Sequence, residues 1–252
     1  MEQTLLRLAS LLELLEICII ATLSIDIFCF KNPIYFSKIK YGNIIMSNTF
    51  RLCLITDQFK NEATILKVVL AALEGGIRTI QFRSTAKAAH KLKTAEKLKT
   101  FVDAYNGLFI VNSDIALVKQ IDASGIHLKS NQCLVAARQE LPDKIIGIST
   151  HTKEEVQEAT KNKADYIFFS PIFKPLSKDL DFPLQGIESL KNTCLNTSLA
   201  VFALGGIMLE NFLEVYQAGA YGAALSGDIF QSNNPRERAL QWTEKITELY
   251  GR

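Results

Sequence analysis

The chain has 252 residues, 48% of them hydrophobic and 21% charged, with a net charge of +2. That length suits one large α/β domain or two small ones, with a core that needs no disulfide or metal staple. The near balance of 28 basic and 26 acidic residues leaves no broad cationic field for nucleic acid or an acidic membrane. Thirteen glycines and six prolines exclude collagen-like and low-complexity classes.

Residues 1–45 differ from the rest. Four cations (Arg7, Lys31, Lys38, Lys40) offset four anions (Glu2, Glu13, Glu16, Asp26), so the net charge belongs to the remainder of the chain. A membrane-spanning helix needs about 20 apolar residues. Glu13, Glu16 and Asp26 leave only Ile17–Ile25 free of charge, which is too short. A secretory signal is also a poor fit, because glutamates fall where the apolar run should begin. The expectation is an N-terminal extension over residues 1–46 outside the fold, Met46 resembling a start, with a cytoplasmic barrel over 47–252. Cys18, Cys29, Cys53, Cys133 and Cys194 are scattered, with no Cys-x-x-Cys pair, and read as single thiols.

From residue 52 the chain alternates strand and helix. Leu52–Thr56 is a short apolar strand, followed by a helical pattern over Glu62–Glu74 that Gly75-Gly76 stops. Ile77–Phe82 is the second strand and Lys87–Tyr105 a Lys-rich helix. Leu108–Val111 is the third strand, followed by a short helix over Ile115–Ile121. Gly125–Leu128 and Lys144–Ile148 are the fourth and fifth strands, separated by a helix over Leu134–Glu140. Thr152 to Glu155 forms a capping box for a helix running to Lys161. Asp165–Phe169 is the sixth strand, and a loop rich in Pro and Lys runs from Ser170 to Gln185 before a shorter helix. Leu199–Leu204 and Gly222–Leu225 are the last strands, and Pro235–Tyr250 is the closing helix.

Strands this short and this apolar are buried on both faces, as in a parallel sheet. Eight strand–helix units predict an α/β chain folded as a parallel (β/α)8 TIM barrel. A doubly wound sheet would carry a glycine-rich first turn, and Thr56-Asp57-Gln58 has no glycine.

In such barrels the chemistry sits at the carboxyl ends of the strands. Here those ends read Asp57, Gln81 to Arg83, Asn112, His127, Ser149 to His151, Ser170 to Lys178, Gly205-Gly206 and Ser226-Gly227. Paired glycines after strand seven and Ser226-Gly227 after strand eight offer backbone N–H groups to a phosphate. Arg83, Lys174 and Lys178 are candidate partners for a second anion, with Lys174 also readable as plain surface. His127 lies within an apolar strand and reads as a core histidine. His151, just past strand five, is better placed for acid/base work. His90 reads as surface.

The order of motifs resembles the thiamine phosphate synthase family, with its related thiazole tautomerases. The residues that carry the resemblance begin with Leu54 to Asp57, Gln81-Phe82-Arg83, Val111-Asn112, Gly125 to Leu128 and Gly147 to Thr152. They continue with Ala164 to Tyr166, Ser170 to Phe173, Gly205-Gly206-Ile207 and Ala218-Gly219-Ala220. The resemblance implies small phosphorylated pyrimidine and thiazole substrates. Their joining to thiamine phosphate would release diphosphate with magnesium. By position, Gln81, Arg83, Asn112, Ser149 and Lys178, with Ser177 beside it, would contact the pyrimidine diphosphate. Gly205, Gly206, Ser226 and Gly227 would hold the thiazole phosphate. Arg83, Lys178 and His151 are the expected catalytic residues.

The chain departs from the family pattern where magnesium aspartates are expected, carrying Ser113 after strand three and Ser130-Asn131-Gln132 after strand four. The family's Arg-Glu-Lys becomes Arg83-Ser84-Thr85. Asp114 is the remaining candidate metal ligand. A tautomerase would need no metal and would use His151 for proton transfer. A third reading is a phosphate-ligand binding or regulatory protein without turnover. Oligomeric state has no sequence signal.

Overall fold

A computed structural model describes residues 50–174 and 183–251. The expected extension over 1–46 lies outside the described residues, as do Ser177 and Lys178. Among the described residues no helix is long and apolar enough to cross a membrane.

Eight parallel strands close into one barrel in chain order. They are β1 (Leu52–Ile55), β2 (Thr79–Phe82), β3 (Leu108–Asn112), β4 (Gly125–Leu128), β5 (Ile145–Thr150), β6 (Tyr166–Phe169), β7 (Ala200–Leu204) and β8 (Gly222–Leu225). Between and after them run α1 (Glu62–Glu74), α2 (Ala88–Ala104), α3 (Ile115–Gln120), α4 (Leu134–Glu140), α5 (Lys153–Lys161), α6 (Gly186–Leu195), α7 (Phe212–Gln217), α8 (Gly227–Phe230) and α9 (Pro235–Tyr250). Pairing of Leu52 with Ala223 and of Leu54 with Leu225 closes β1 on β8. The sequence-based expectation of a (β/α)8 barrel is met.

Local chemistry explains the helix starts. Asn61, Asp114, Thr152 and Asn234 each accept a hydrogen bond from a first-turn N–H, and Pro235 stands at the first position of α9. The capping box at Thr152 is reciprocal in a shifted form, because the Glu155 carboxylate accepts from the His151 N–H. Gly75 is required for packing more than for stopping α1. A Cβ there would lie 2.5 Å from Ala239 Cβ and from the Arg236 carbonyl oxygen on α9.

Alternation along each strand divides the core in two. Outward residues such as Ile80, Phe109, Val111, Ile126 and Ile167 meet the helices in one large cluster. Inward residues fill the barrel: Phe50, Cys53, Ile55, Ile110, Ile145, Tyr166, Phe168, Phe202 and Ala224. Edge-on aromatic contacts fill the lower barrel, with Phe50 at 5.9 Å from Tyr166 and 5.4 Å from Phe202. The same alternation places Thr79, Gln81 and His127 inside the barrel, all buried. These polar side chains continue upward into the strand ends.

Cys53, Cys133 and Cys194 are free thiols, and burial pushes the Cys194 thiol up to about 12 and that of Cys53 higher still.

Candidate active site

The end of β2 is fixed by β1. Thr56 Oγ1 donates to the Arg83 carbonyl at 2.9 Å and accepts from the Arg83 N–H at 2.8 Å. One hydroxyl thus clamps the residue that carries the guanidinium. Arg83 Nε is buried without a hydrogen-bond partner among the described residues, and so is Gln81 Oε1. Burial pulls the Arg83 pKa down, and the Asp57 charge opposes that pull. A buried donor and a buried acceptor left open at one strand end imply a ligand that completes them.

Gln81 is oriented by β3: its Nε2 donates to Asn112 Oδ1 at 3.0 Å, and Asn112 Nδ2 donates to Ser113 Oγ at 3.1 Å. Next round the barrel, His127 Nε2 lies 2.9 Å from Ser149 Oγ and His127 Nδ1 lies 3.1 Å from the Tyr166 hydroxyl. Burial, reinforced by the Arg83 charge, pulls the His127 pKa down to about 3, so the ring is neutral at physiological pH. The core reading of His127 holds, but its ring touches a site residue. Sequence reasoning missed this link, although the inward register of His127 beside Gly147 carries the signal. Gln81, Asn112 and Ser149 therefore face one wall, beside Arg83.

His151 stands past β5, where its Nδ1 lies 2.8 Å from the Ser170 carbonyl oxygen. A carbonyl only accepts, so Nδ1 carries a hydrogen in this contact. His90 lies on α2 and pairs with Glu62 at 3.2 Å, a surface position as expected. Lys174 is exposed.

Across the barrel the last two strand ends are built from backbone. Gly205 and Gly206 have φ of +97° and +63°. A Cβ on Gly206 would lie 2.6 Å from the Lys174 carbonyl oxygen and 2.8 Å from Phe173 Cβ. The segment after β6 lies directly on this turn, with the Ile172 and Phe173 N–H groups donating to the carbonyls of Leu204 and Gly205, each at 3.0 Å. The short helix α8 begins at Ser226, whose side chain makes no capping bond. It follows β8 directly, so its N-terminus lies at the same carboxyl end of the barrel as the glycine turn. Asp228 in that first turn would repel an anion, but its carboxylate is held by Arg238 at 2.7 Å and by Trp242 Nε1 at 2.6 Å. Its charge is thereby paired away from the turn.

Asp114, the candidate metal ligand, already has two partners. It caps α3 through the Leu117 N–H at 3.0 Å and pairs with Lys91 Nζ at 2.6 Å. Its carboxyl sits below the usual range: burial pushes it up, and the Lys91 and Leu117 bonds outweigh that. Ser113 and Gln132 lie in the two segments where the resemblance implies aspartate. Gln132 Nε2 approaches the Ser113 carbonyl at 3.4 Å, and Gln132 Oε1 accepts from the Lys129 N–H at 2.8 Å. No group of three His, Cys, Asp or Glu side chains able to hold a metal occurs among the described residues. Magnesium prefers carboxylate oxygens in octahedral geometry. Ser113 and Gln132 are neutral and bonded to each other, and the remaining carboxylate, Asp114, is engaged by Lys91, so the set does not fit it.

The profile of the family described as Thiamine monophosphate synthase matches residues 52–229. A thiamine-phosphate synthase of Dictyoglomus turgidum is 34% identical over 200 residues, covering 78% of this chain and 88% of that protein. One from Streptococcus suis is 36% identical over 196 residues, covering 75% of this chain and 85% of the relative. Among solved structures, the thiamine phosphate pyrophosphorylase of Pyrococcus furiosus superposes with a TM-score of 0.74 at 28% identity, covering 81% of this chain and 98% of that one. Barrel, motif order and matched segment coincide, and the chain belongs to the thiamine monophosphate synthase family.

Proposed function

We infer that this chain is a transferase that joins a hydroxymethylpyrimidine diphosphate to a thiazole phosphate, giving thiamine phosphate and diphosphate. The single observation that carries the reading is the open pair at the end of β2: buried Gln81 Oε1 and buried Arg83 Nε, both without partners among the described residues. They lie inside the segment that matches the family.

In this reading the bond between the pyrimidine methylene carbon and the diphosphate oxygen breaks, and the departing oxygen keeps the electron pair. The thiazole nitrogen then supplies its lone pair to the methylene carbon. Gln81 and Asn112 orient the pyrimidine through amide donors and acceptors. Arg83 and Lys178 offset the negative charge that grows on the leaving diphosphate, and Ser149 binds it. Gly205, Gly206, Ser226 and Gly227 hold the thiazole phosphate through backbone N–H groups and a hydroxyl, keeping the nucleophile close to the forming cation. The family resemblance brings magnesium with it, but the donor set at Ser113, Asp114 and Gln132 does not fit the ion, so no step is assigned to it. Neither the tautomerase reading nor a binding-only role is favoured by any of these relatives.

The test is direct. The purified chain is supplied with both substrates, with and without magnesium, and thiamine phosphate and diphosphate are measured. Equal amounts of the two products support the reading. No thiamine phosphate under either condition overturns it.

A further inference from the structure

The joining reaction makes no direct use of Tyr166 or His127, yet both are buried directly beneath Ser149. The direction of the hydrogen bonds between them follows from satisfaction alone. The Tyr166 hydroxyl has one hydrogen-bond partner among the described residues, His127 Nδ1 at 3.1 Å. If Nδ1 carried the ring hydrogen, the phenol would accept it, and its own proton would be buried with no acceptor. That arrangement carries the desolvation cost of an unmade bond. The phenol therefore donates to Nδ1. A neutral imidazole has one N–H, which must then be on Nε2, 2.9 Å from Ser149 Oγ. Ser149 accepts there, and its own proton is left without an acceptor among the described residues.

The surroundings hold this geometry. Phe168 stacks on the imidazole with centroids 4.0 Å apart, fixing the ring plane. Gly147 leaves room for the phenol, since a Cβ at that position would lie 2.1 Å from Tyr166 Cζ. Burial and the neighbouring Arg83 charge both disfavour a second ring proton.

We propose that Tyr166 and His127 are positioning residues that fix the Ser149 hydroxyl as a hydrogen-bond donor toward the substrate diphosphate, through the one-way chain Tyr166 O–H to His127 Nδ1 and His127 Nε2–H to Ser149 Oγ. The proposal rests on the transferase reading of the site. A donor aimed in advance at an oxygen that gains charge as the bond breaks needs no reorganisation at that moment. Each bond in such a chain also polarises the next. The opposite tautomer would turn the Ser149 proton down into the barrel and present only lone pairs to an anion.

Two measurements decide it. Nitrogen-15 NMR of the labelled, substrate-free chain reads the His127 tautomer, with the hydrogen expected on Nε2; a hydrogen on Nδ1 overturns the chain of bonds. Tyr166→Phe keeps the ring and its packing, and lowers kcat/KM for the pyrimidine diphosphate by about 5- to 20-fold, leaving KM for the thiazole phosphate unmoved. In a Ser149→Ala background the same change has no further effect, within about twofold. Fully additive losses would mean that Tyr166 does not act through Ser149, and would overturn the proposal. Absence of thiamine phosphate from the wild-type chain overturns the reaction and with it the donor's target. The wrong tautomer in an active chain overturns only the positioning.

Discussion

The two halves of the barrel interior are built from different materials. From β2 to β5 the inner wall carries Gln81, Asn112, His127 and Ser149, bonded in two pairs alongside the apolar Ile110 and Ile145, with Thr79 Oγ1, Gln81 Oε1 and Arg83 Nε left open among the described residues. From β6 round to β1 it carries Tyr166, Phe168, Phe202, Ala224 and Cys53, and β7 ends in a turn of two glycines with positive φ. The difference separates two recognition problems. In the proposed reaction the pyrimidine diphosphate would be read by directional side-chain groups, and the thiazole phosphate largely by convergent N–H donors. The aromatic side also serves as the rigid support on which the polar side leans, since Phe168 and Tyr166 hold His127 in place.

Arg83→Ala puts the sharpest strain on this division. Loss of one preorganised charged donor is expected to lower kcat by about 10²- to 10³-fold, with little change in KM for the thiazole phosphate. Steady-state kinetics with each substrate varied in turn would check it, and a large rise in KM for the thiazole phosphate would break the division. On the opposite wall, Gly206→Ala forces a Cβ into a backbone with φ of +63°, 2.6 Å from the Lys174 carbonyl oxygen. About tenfold weaker binding of the thiazole phosphate is expected, together with about 1–3 kcal/mol of lost stability. Calorimetric titration and thermal melts report the two effects separately.

A smaller effect concerns pH. His127 titrates near its ordinary 6.5 when unfolded and near 3 when folded, so between those values the unfolded chain binds the extra proton. Stability is then fully present above about 6.5 and falls as pH drops toward 3, by at most about 1.4 kcal/mol per pH unit. Melting temperatures between pH 7 and 5 should show this slope, and His127→Gln should flatten it. The smallest change is expected from Asp114→Asn. Asparagine still caps α3, and losing the partly exposed pair with Lys91 costs less than about 1 kcal/mol. Any effect of added magnesium on turnover should be the same in variant and wild type. Its disappearance in the variant would make Asp114 a ligand after all.

Most of the barrel is legible in the sequence because buried parallel strands leave a plain signal, short apolar runs at regular intervals. The bounds slip where that signal is mixed. β5 continues through Ser149 and Thr150, which pair with Phe168 and Phe169, although an apolar run ends at Ile148. β2 begins at Thr79, two residues later than expected, because the Ile77 N–H still serves the end of α1 by donating to the Ala72 carbonyl. The six-residue helix α7 has no counterpart in the sequence reading, which does assign the equally short α3. At the site, Gln81, Arg83, Asn112 and Ser149 are legible as polar residues at apolar strand ends. The Thr56 clamp on Arg83 and the chain from Tyr166 to Ser149 are not, because they join residues 27 and 17 positions apart and appear only once strand register is known. The engagement of Asp114 by Lys91 is hidden for the same reason: the ammonium comes from a helix 23 residues upstream.

The anchoring of Asp228 by Arg238 and Trp242 has a consequence for biosynthesis of the molecule itself. The polar strand ends from β2 to β5 all come early in the chain, whereas the side chains that hold Asp228 on α8 belong to α9, the last of the described helices. During synthesis the Asp228 carboxylate cannot gain these two partners until Arg238 and Trp242 have left the ribosome. Loss of Trp242 would take one hydrogen bond from Asp228 and a fully buried side chain from the core.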